Sequence, residues 1–174
     1  MNQQLFQSMR RNKQELTDPE SRRILDKATS GVLALLCNNG YPYAVPLSFV
    51  LHENVLYFHS ATEGQKIEAV KYCEKASFCV IEQDKVIPEK FTTAYRSVIT
   101  FGKIRIVNDA DERHFALKLL ADKYSPQVSE TNVNNAITSG FSRVTILRFE
   151  IEHLSGKQGQ QTMETPNDEL YTLI

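Results

Sequence analysis

The chain has 174 residues, 41% of them hydrophobic and 24% charged, with a formal net charge of −1. Such a length and composition describe one globular domain with a real core and exclude an intrinsically disordered chain. The basic residues are scattered, which leaves no electrostatic footprint for nucleic acid, and no apolar run approaches membrane-spanning length.

Residues 1–15 are polar and read as an N-terminal arm, with Arg10, Arg11 and Lys13 as a solvated approach to the first helix. The stretch lacks the apolar segment of a secretory signal, so the expected location is the cytoplasm. Thr17-Asp18-Pro19-Glu20 is a helix start: Thr17 and Glu20 have capping-box spacing, and proline is tolerated in a first turn. Ile24, Leu25 and Ala28 form that helix's apolar stripe, and Ser30-Gly31 is expected to end it.

Gly31 to Cys37 reads as a buried strand, and Asn38-Asn39-Gly40 as the hairpin turn after it. The return strand, Tyr41 to His52, alternates, with Tyr43, Val45, Leu47, Phe49 and Leu51 on one face and Ala44, Pro46, Ser48 and Val50 on the other. Pro42 and Pro46 remove two ladder donors, which predicts an edge strand or a bulge. An edge with open backbone groups can offer them to a planar ligand, or it can simply be a protected edge.

Val55 to Ser60 is the next strand, and it runs into a helix through Ala61-Thr62-Glu63-Gly64-Gln65-Lys66. His59 and Ser60 finish the strand on opposite faces, Gly64 permits the turn, and Lys66 falls in the first helical turn. A helix N-terminus carries unpaired N–H groups and partial positive charge. With a hydroxyl, an imidazole and an ammonium beside it, the joint can cradle a phosphate. It also reads as an ordinary capped helix start. The helix continues through Ile67, Val70 and Cys73.

Ala76 to Glu82 is expected as a strand, and Gln83 to Phe91 as a charged loop holding Pro88. Thr92 to Val107 is the longest β-type segment, with Gly102 suggesting a bulge or bend. Tyr95, Ser97, Ile99 and Phe101 share one face; Arg96, Val98 and Thr100 share the other. Arg96 beside Ser97 can serve an anion or pair with a carboxylate on a neighbouring strand.

Asn108 is expected to cap a helix of Asp109 to Tyr124, stopped by Pro126, with Phe115, Ala116, Leu119 and Leu120 buried and His114 on the surface. A short helix over Asn132 to Gly140 and a last strand, Ser142 to Ile151, follow. Residues 158–174 read as a polar tail with an apolar end, Leu170 to Ile174, which leaves 16–157 as the folded domain. The three cysteines, Cys37, Cys73 and Cys79, and the four histidines lack metal-ligand spacing, and the cysteines read as free thiols. The order of elements lacks regular β-α alternation, so the expected class is mainly β with flanking helices: a six-stranded antiparallel barrel.

Met9-Arg10-Arg11, Gly40-Tyr41-Pro42-Tyr43 with Val45-Pro46-Leu47, Tyr57 to Lys66, and Tyr95-Arg96-Ser97-Val98 with Gly102-Lys103 together resemble the pyridoxamine 5′-phosphate oxidase-like, FMN-binding split-barrel superfamily. More narrowly they resemble its 5-nitroimidazole antibiotic resistance (Nim) branch. The resemblance implies a homodimer with FMN between the subunits. It assigns His59, Ser60 and Lys66 to the flavin phosphate or ribityl region, and Val45, Pro46, Leu47 and Ser48 to the ring through backbone groups. Arg96, Ser97 and Val98 would add contacts, plausibly to the other subunit's cofactor, and His59 would be the residue tied to activity. The implied function is reduction of small aromatic acceptors such as nitroimidazoles. The alternatives are a pyridoxamine phosphate oxidase proper, or a non-catalytic flavin- or haem-binding protein.

Overall fold

The computed structural model describes residues 5–164. In chain order the elements are β1 (Glu15–Leu16), α1 (Asp18–Lys27), β2 (Ser30–Leu36), β3 (Pro42–Ser48), β4 (Val50–His52), β5 (Val55–Ser60), α2 (Gln65–Tyr72), β6 (Lys75–Ile87), β7 (Thr92–Ile106), α3 (Ala110–Tyr124), α4 (Glu130–Gly140), β8 (Thr145–Gln158) and α5 (Gln160–Glu164). The described strands form one sheet in the order β3-β2-β6-β7-β8-β5-β4, with β1 paired to β8. The sheet thus has eight strands rather than six, because Phe49 interrupts the return strand and Glu15–Leu16 adds a short one. The class is as expected: mainly antiparallel β with flanking helices.

The chain divides into two compact units. Among the described residues the first comprises 5–28, Val80–Ile99 and 153–164. Here α1 begins on the expected capping box, Thr17 accepting from the Glu20 amide while the Glu20 carboxylate accepts from the Thr17 amide at 2.9 Å. Those hydrogen bonds from Thr17 hold the Glu20 carboxyl below its ordinary pKa. Leu16 and Ser21 pack against Gly156, where a Cβ would lie 2.1 Å from the Ser21 hydroxyl, so β1 closes on β8 only through glycine.

The stretch expected as a loop, Gln83 to Phe91, is mostly strand: β6 runs on to Ile87, and a 3-10 turn, Pro88–Lys90, leads into β7. Its charged side chains Asp84 and Lys85 are exposed and tolerate a ladder whose backbone is satisfied by a neighbour. Phe91 closes the turn at φ 49°, in the left-handed region, and is 98% exposed. The last strand also reaches further than its sequence suggests, to Gln158.

The second unit comprises Thr29–Cys79 and Thr100–Glu152. Its core holds three fully buried rings, with Phe78 centred 4.7 Å from Phe49 and 5.2 Å from Phe58. Leu33, Leu56, Ile67, Ile104 and Ile146 are buried in the same unit. Strand β2 runs close over Phe78, where a Cβ on Gly31 would stand 2.4 Å from the ring. Gly102 serves a close approach: a Cβ there would stand 2.0 Å from the Glu150 carbonyl oxygen on β8. Asp109, not Asn108, caps α3, accepting from the Glu112 amide at 2.8 Å. On α3, Ala116 and Leu120 are buried as expected, but Leu119 is half-buried and Phe115 is 42% exposed.

Candidate functional site

The site is built around the joint between β5 and α2. Strand β5 pairs with β8, His59 opposite Ile146 and Ser60 opposite Thr145. Alternation leaves His59 exposed and Ser60 buried, on opposite faces. Beyond the bend, Gly64 stands at φ 115°, with nothing within 4 Å of an ideal Cβ. Conformation rather than crowding therefore calls for glycine there. The Gly64 carbonyl accepts from the Ile67 and Glu68 amides at 2.9 and 3.1 Å, which starts α2. No side chain caps this end, so the Gln65 and Lys66 N–H groups have no partner inside the helix.

Lys66 is half-buried at the same helix end, and burial pushes its ammonium pKa below the ordinary lysine value. Among the described residues it has no ion-pair partner, whereas Lys71, one turn on, holds Glu68 at 2.8 Å in an exposed pair. An uncapped helix start beside a partly desolvated, unpaired cation is an arrangement that gains from an anion. Ile67, Ala69 and Val70 bury the other face of α2, which packs on β2. Gln65 reaches Cys37 at the end of the β2 turn, 3.6 Å from its sulfur.

Strand β3 brings Val45, Pro46, Leu47 and Ser48 into the same unit. Among the described residues it pairs only with β2, in the register Ser30↔Ser48 to Leu36↔Pro42, and stands at one end of the strand order. The two prolines have thus placed it on an edge, one of the outcomes expected of them. It also lies against β5. Val45 and Leu47 are half-buried and Pro46 is exposed, so the expected alternation holds from Tyr43 to Leu47; it ends there, Ser48 being half-buried and Phe49 and Val50 both buried where the strand breaks.

Arg96, Ser97 and Val98 lie on β7 in the first unit. The Arg96 guanidinium is buried, donates to Gln158 Oε1 at 2.9 Å and lies 3.6 Å from the Glu82 carboxylate on β6. Of the two roles open to it, carboxylate pairing is the one this geometry contains. Val98 is fully buried, and Ser97 is half-exposed on the opposite face.

Two sets of contacts near the joint's supporting strands were not legible in the sequence. The Tyr124 phenol, at the end of α3, meets the backbone of Phe49 and Thr29. Glu112 gathers Tyr57 (3.1 Å), Arg105 (3.0 Å) and Arg148 (3.3 Å), tying α3 to β5, β7 and β8. Burial, then the neighbouring Glu112 charge, pushes the Tyr57 phenol pKa up. Sequence marks Glu112 only as an acid near a helix start; its partners lie 7 to 55 residues away.

In the first unit, two clefts of about 540 and 490 Å³ are lined by Phe6, Glu15 and His153 with their neighbours, and by Arg11, Lys13, Gln14 and Gln160 with theirs. Neither includes any of the ten residues above. No group of three or more metal-ligating side chains occurs among the described residues, and the cysteines are free thiols. No helix among the described residues is long and apolar enough to cross a membrane.

An antiparallel sheet with flanking helices, a proline-broken edge and a strand-to-helix joint beside it define the split-barrel class. Residues 17–158 match the pyridoxamine 5′-phosphate oxidase family, and the chain belongs to that family. Among solved structures it is similar to a candidate 5-nitroimidazole antibiotic resistance protein from Bacteroides thetaiotaomicron, at 21% identity and TM-score 0.67, covering 83% of this chain and 86% of that one. A conserved hypothetical protein from Mycobacterium tuberculosis is similar at 13% identity and TM-score 0.77, covering 92% and 95%. A FAD-binding protein from Mesorhizobium loti is similar at 24% identity and TM-score 0.60, covering 84% and 97%. At these identities the likeness is one of fold. No curated protein matches the sequence.

Proposed function

We propose that this chain is an FMN-binding flavoprotein, and that it acts as an oxidoreductase on small aromatic acceptors such as nitroimidazoles. The observation that carries the reading is the β5–α2 joint: an uncapped helix start, a half-buried Lys66 without an ion-pair partner among the described residues, and Ser60 buried at the end of β5. These groups fit a phosphate monoester: the helix N–H groups and Lys66 neutralise its charge, and Ser60 adds a donor. Val45, Pro46, Leu47 and Ser48 would lie along the flavin ring through backbone groups of the β3 edge. His59, exposed at the end of β5, would take the catalytic role. FMN would supply the electron and hydride chemistry.

Residues 61–65 of the joint are exposed in a single chain, and that suits a cofactor held between two subunits. In the second unit Val32 and Phe101 are exposed apolar side chains, and in the first Ile81 and Ile99 are. Such side chains on strands suit burial by a second copy. Arg96, Ser97 and Val98 are assigned to the partner's flavin, Ser97 by its side chain and buried Val98 by its backbone.

The test begins with the untreated protein. Its absorbance should show flavin bands, and mass analysis of the released cofactor should distinguish FMN from FAD, the ligand in the name of the Mesorhizobium loti protein. Anaerobic addition of NADH, NADPH or dithionite, then of a nitroimidazole, should bleach and restore those bands. Flavin reoxidation no faster with the nitroimidazole than without it would refute the reductase reading and leave a flavin carrier. A colourless protein that takes up neither flavin on titration would remove the whole proposal.

A further inference from the structure

The larger cleft of the first unit is built from two strands and the N-terminal arm. Strand β1 pairs with β8 in the register Glu15↔Lys157, and cross-strand partners point to the same face of a sheet. Alternation along β8 puts Ser155 and His153 on the face of Lys157 as well. Glu15, Ser155 and His153 thus share one face, and all three line the cleft. The arm supplies the rest. The Phe6 ring stacks on the His153 imidazole, with centroids 4.5 Å apart and an interplanar angle of 7°. Leu5 and Met9 add apolar lining, and Leu5 is 77% exposed.

The cleft volume is about 540 Å³, which falls in the range of small-molecule sites. Among the described residues, Glu15 and His153 are its only ionisable lining groups, and neither lysine nor arginine lines it. Lys157, opposite Glu15 on β8, is the obvious partner for that carboxylate. Its ammonium instead lies over the Tyr95 ring, 6.0 Å from the centroid. Among the described residues the Glu15 carboxylate has neither an ion-pair nor a hydrogen-bond partner. The adjoining cleft, which shares Asn12, has the opposite character, with Arg11 and Lys13 in its lining. An anion would be drawn there, and a cation to Glu15.

We propose that the larger cleft is a binding site for a small organic cation with an aromatic body, an arylalkylamine. Its ammonium pairs with Glu15, and its ring packs on Phe6, Leu5 and Met9, extending the Phe6–His153 stack. This site needs no flavin and stands apart from the flavin reading.

The experiment titrates the protein as purified, by calorimetry, with phenethylammonium, its neutral analogue 2-phenylethanol and the anion 3-phenylpropanoate. Phenethylammonium should bind saturably and about tenfold more tightly than 2-phenylethanol, the worth of one charge-assisted contact. Glu15→Gln should erase that preference, and Phe6→Ala should weaken the cation and the alcohol alike. No saturable heat from phenethylammonium, equal affinity for cation and alcohol, or a preference for the anion overturns the proposal. So does unchanged phenethylammonium affinity in Glu15→Gln, which would put the cation elsewhere on the protein. Should Glu15→Gln fail to fold, Phe6→Ala decides, and unchanged affinity there overturns it.

Discussion

Replacing Lys66 with alanine separates a phosphate-binding lysine from a structural one, because the two roles predict opposite signs. In the free protein the ammonium is half-buried, has no ion-pair partner among the described residues, and has its pKa lowered by burial. Its charge therefore costs the fold something, and Lys66→Ala should leave the apo protein as stable as before or slightly more so. With FMN the sign reverses. A charge-assisted hydrogen bond contributes about 1.5–3 kcal/mol, so the dissociation constant should rise by about 10- to 150-fold.

The pH dependence follows from the same group. An anion favours the charged ammonium, so affinity holds while Lys66 is protonated in the free protein and falls as pH rises through its lowered pKa. That decline belongs on the alkaline side, begins below the ordinary lysine value of 10.5, and should be absent from Lys66→Ala. Flavin fluorescence titration from neutral to alkaline pH, with urea unfolding of the apo proteins, measures both signs. Unchanged FMN affinity in Lys66→Ala would show that the joint does not hold the phosphate. A marked loss of apo stability would show that Lys66 is structural after all.

Thr17→Ala should cost about 1 kcal/mol by removing the α1 cap, measured by urea unfolding. The Glu20 carboxyl has a lowered pKa in the folded state, so its contribution is present above the unfolded value and lost as pH falls through the folded one; Thr17→Ala should flatten that acid limb. Gly102→Ala should destabilise by about 1–3 kcal/mol, since the new Cβ meets the Glu150 carbonyl. Gly140→Ala, with open space around it and helical backbone, should instead stabilise by about 0.5–1 kcal/mol; equal melting temperatures for these two glycine variants would refute the reasoning. If the proposed dimer forms, Ile99→Glu should shift it to monomer in sedimentation, while an unchanged sedimentation coefficient would remove β7 from the proposed interface.

Local chemistry made several features readable. Thr17 with Glu20 identified α1, because a capping box is satisfied within four residues. Pro42 and Pro46 put β3 on an edge, because a missing donor cannot be repaired by a central neighbour. Gly64 marked the turn into α2, because its φ is open to few other residues. What escaped was what distant partners decide. The run from Gln83 to Ile87 became strand because a neighbouring strand satisfied its backbone, whatever its charge suggested. Gly102 serves a carbonyl nearly fifty residues on, and Tyr124 serves the backbone of Phe49 from the end of another element. Arg96 was open between an anion and a carboxylate until Glu82 was seen beside it.

The turn between β6 and β7 has a practical consequence. Phe91 combines a backbone conformation that suits asparagine or glycine with an aromatic ring given almost wholly to water. An isolated chain gains nothing from either property. Phe91→Asn should therefore yield more soluble, slightly hardier material from the monomer, and the same position offers a clean attachment point for a fluorescent label.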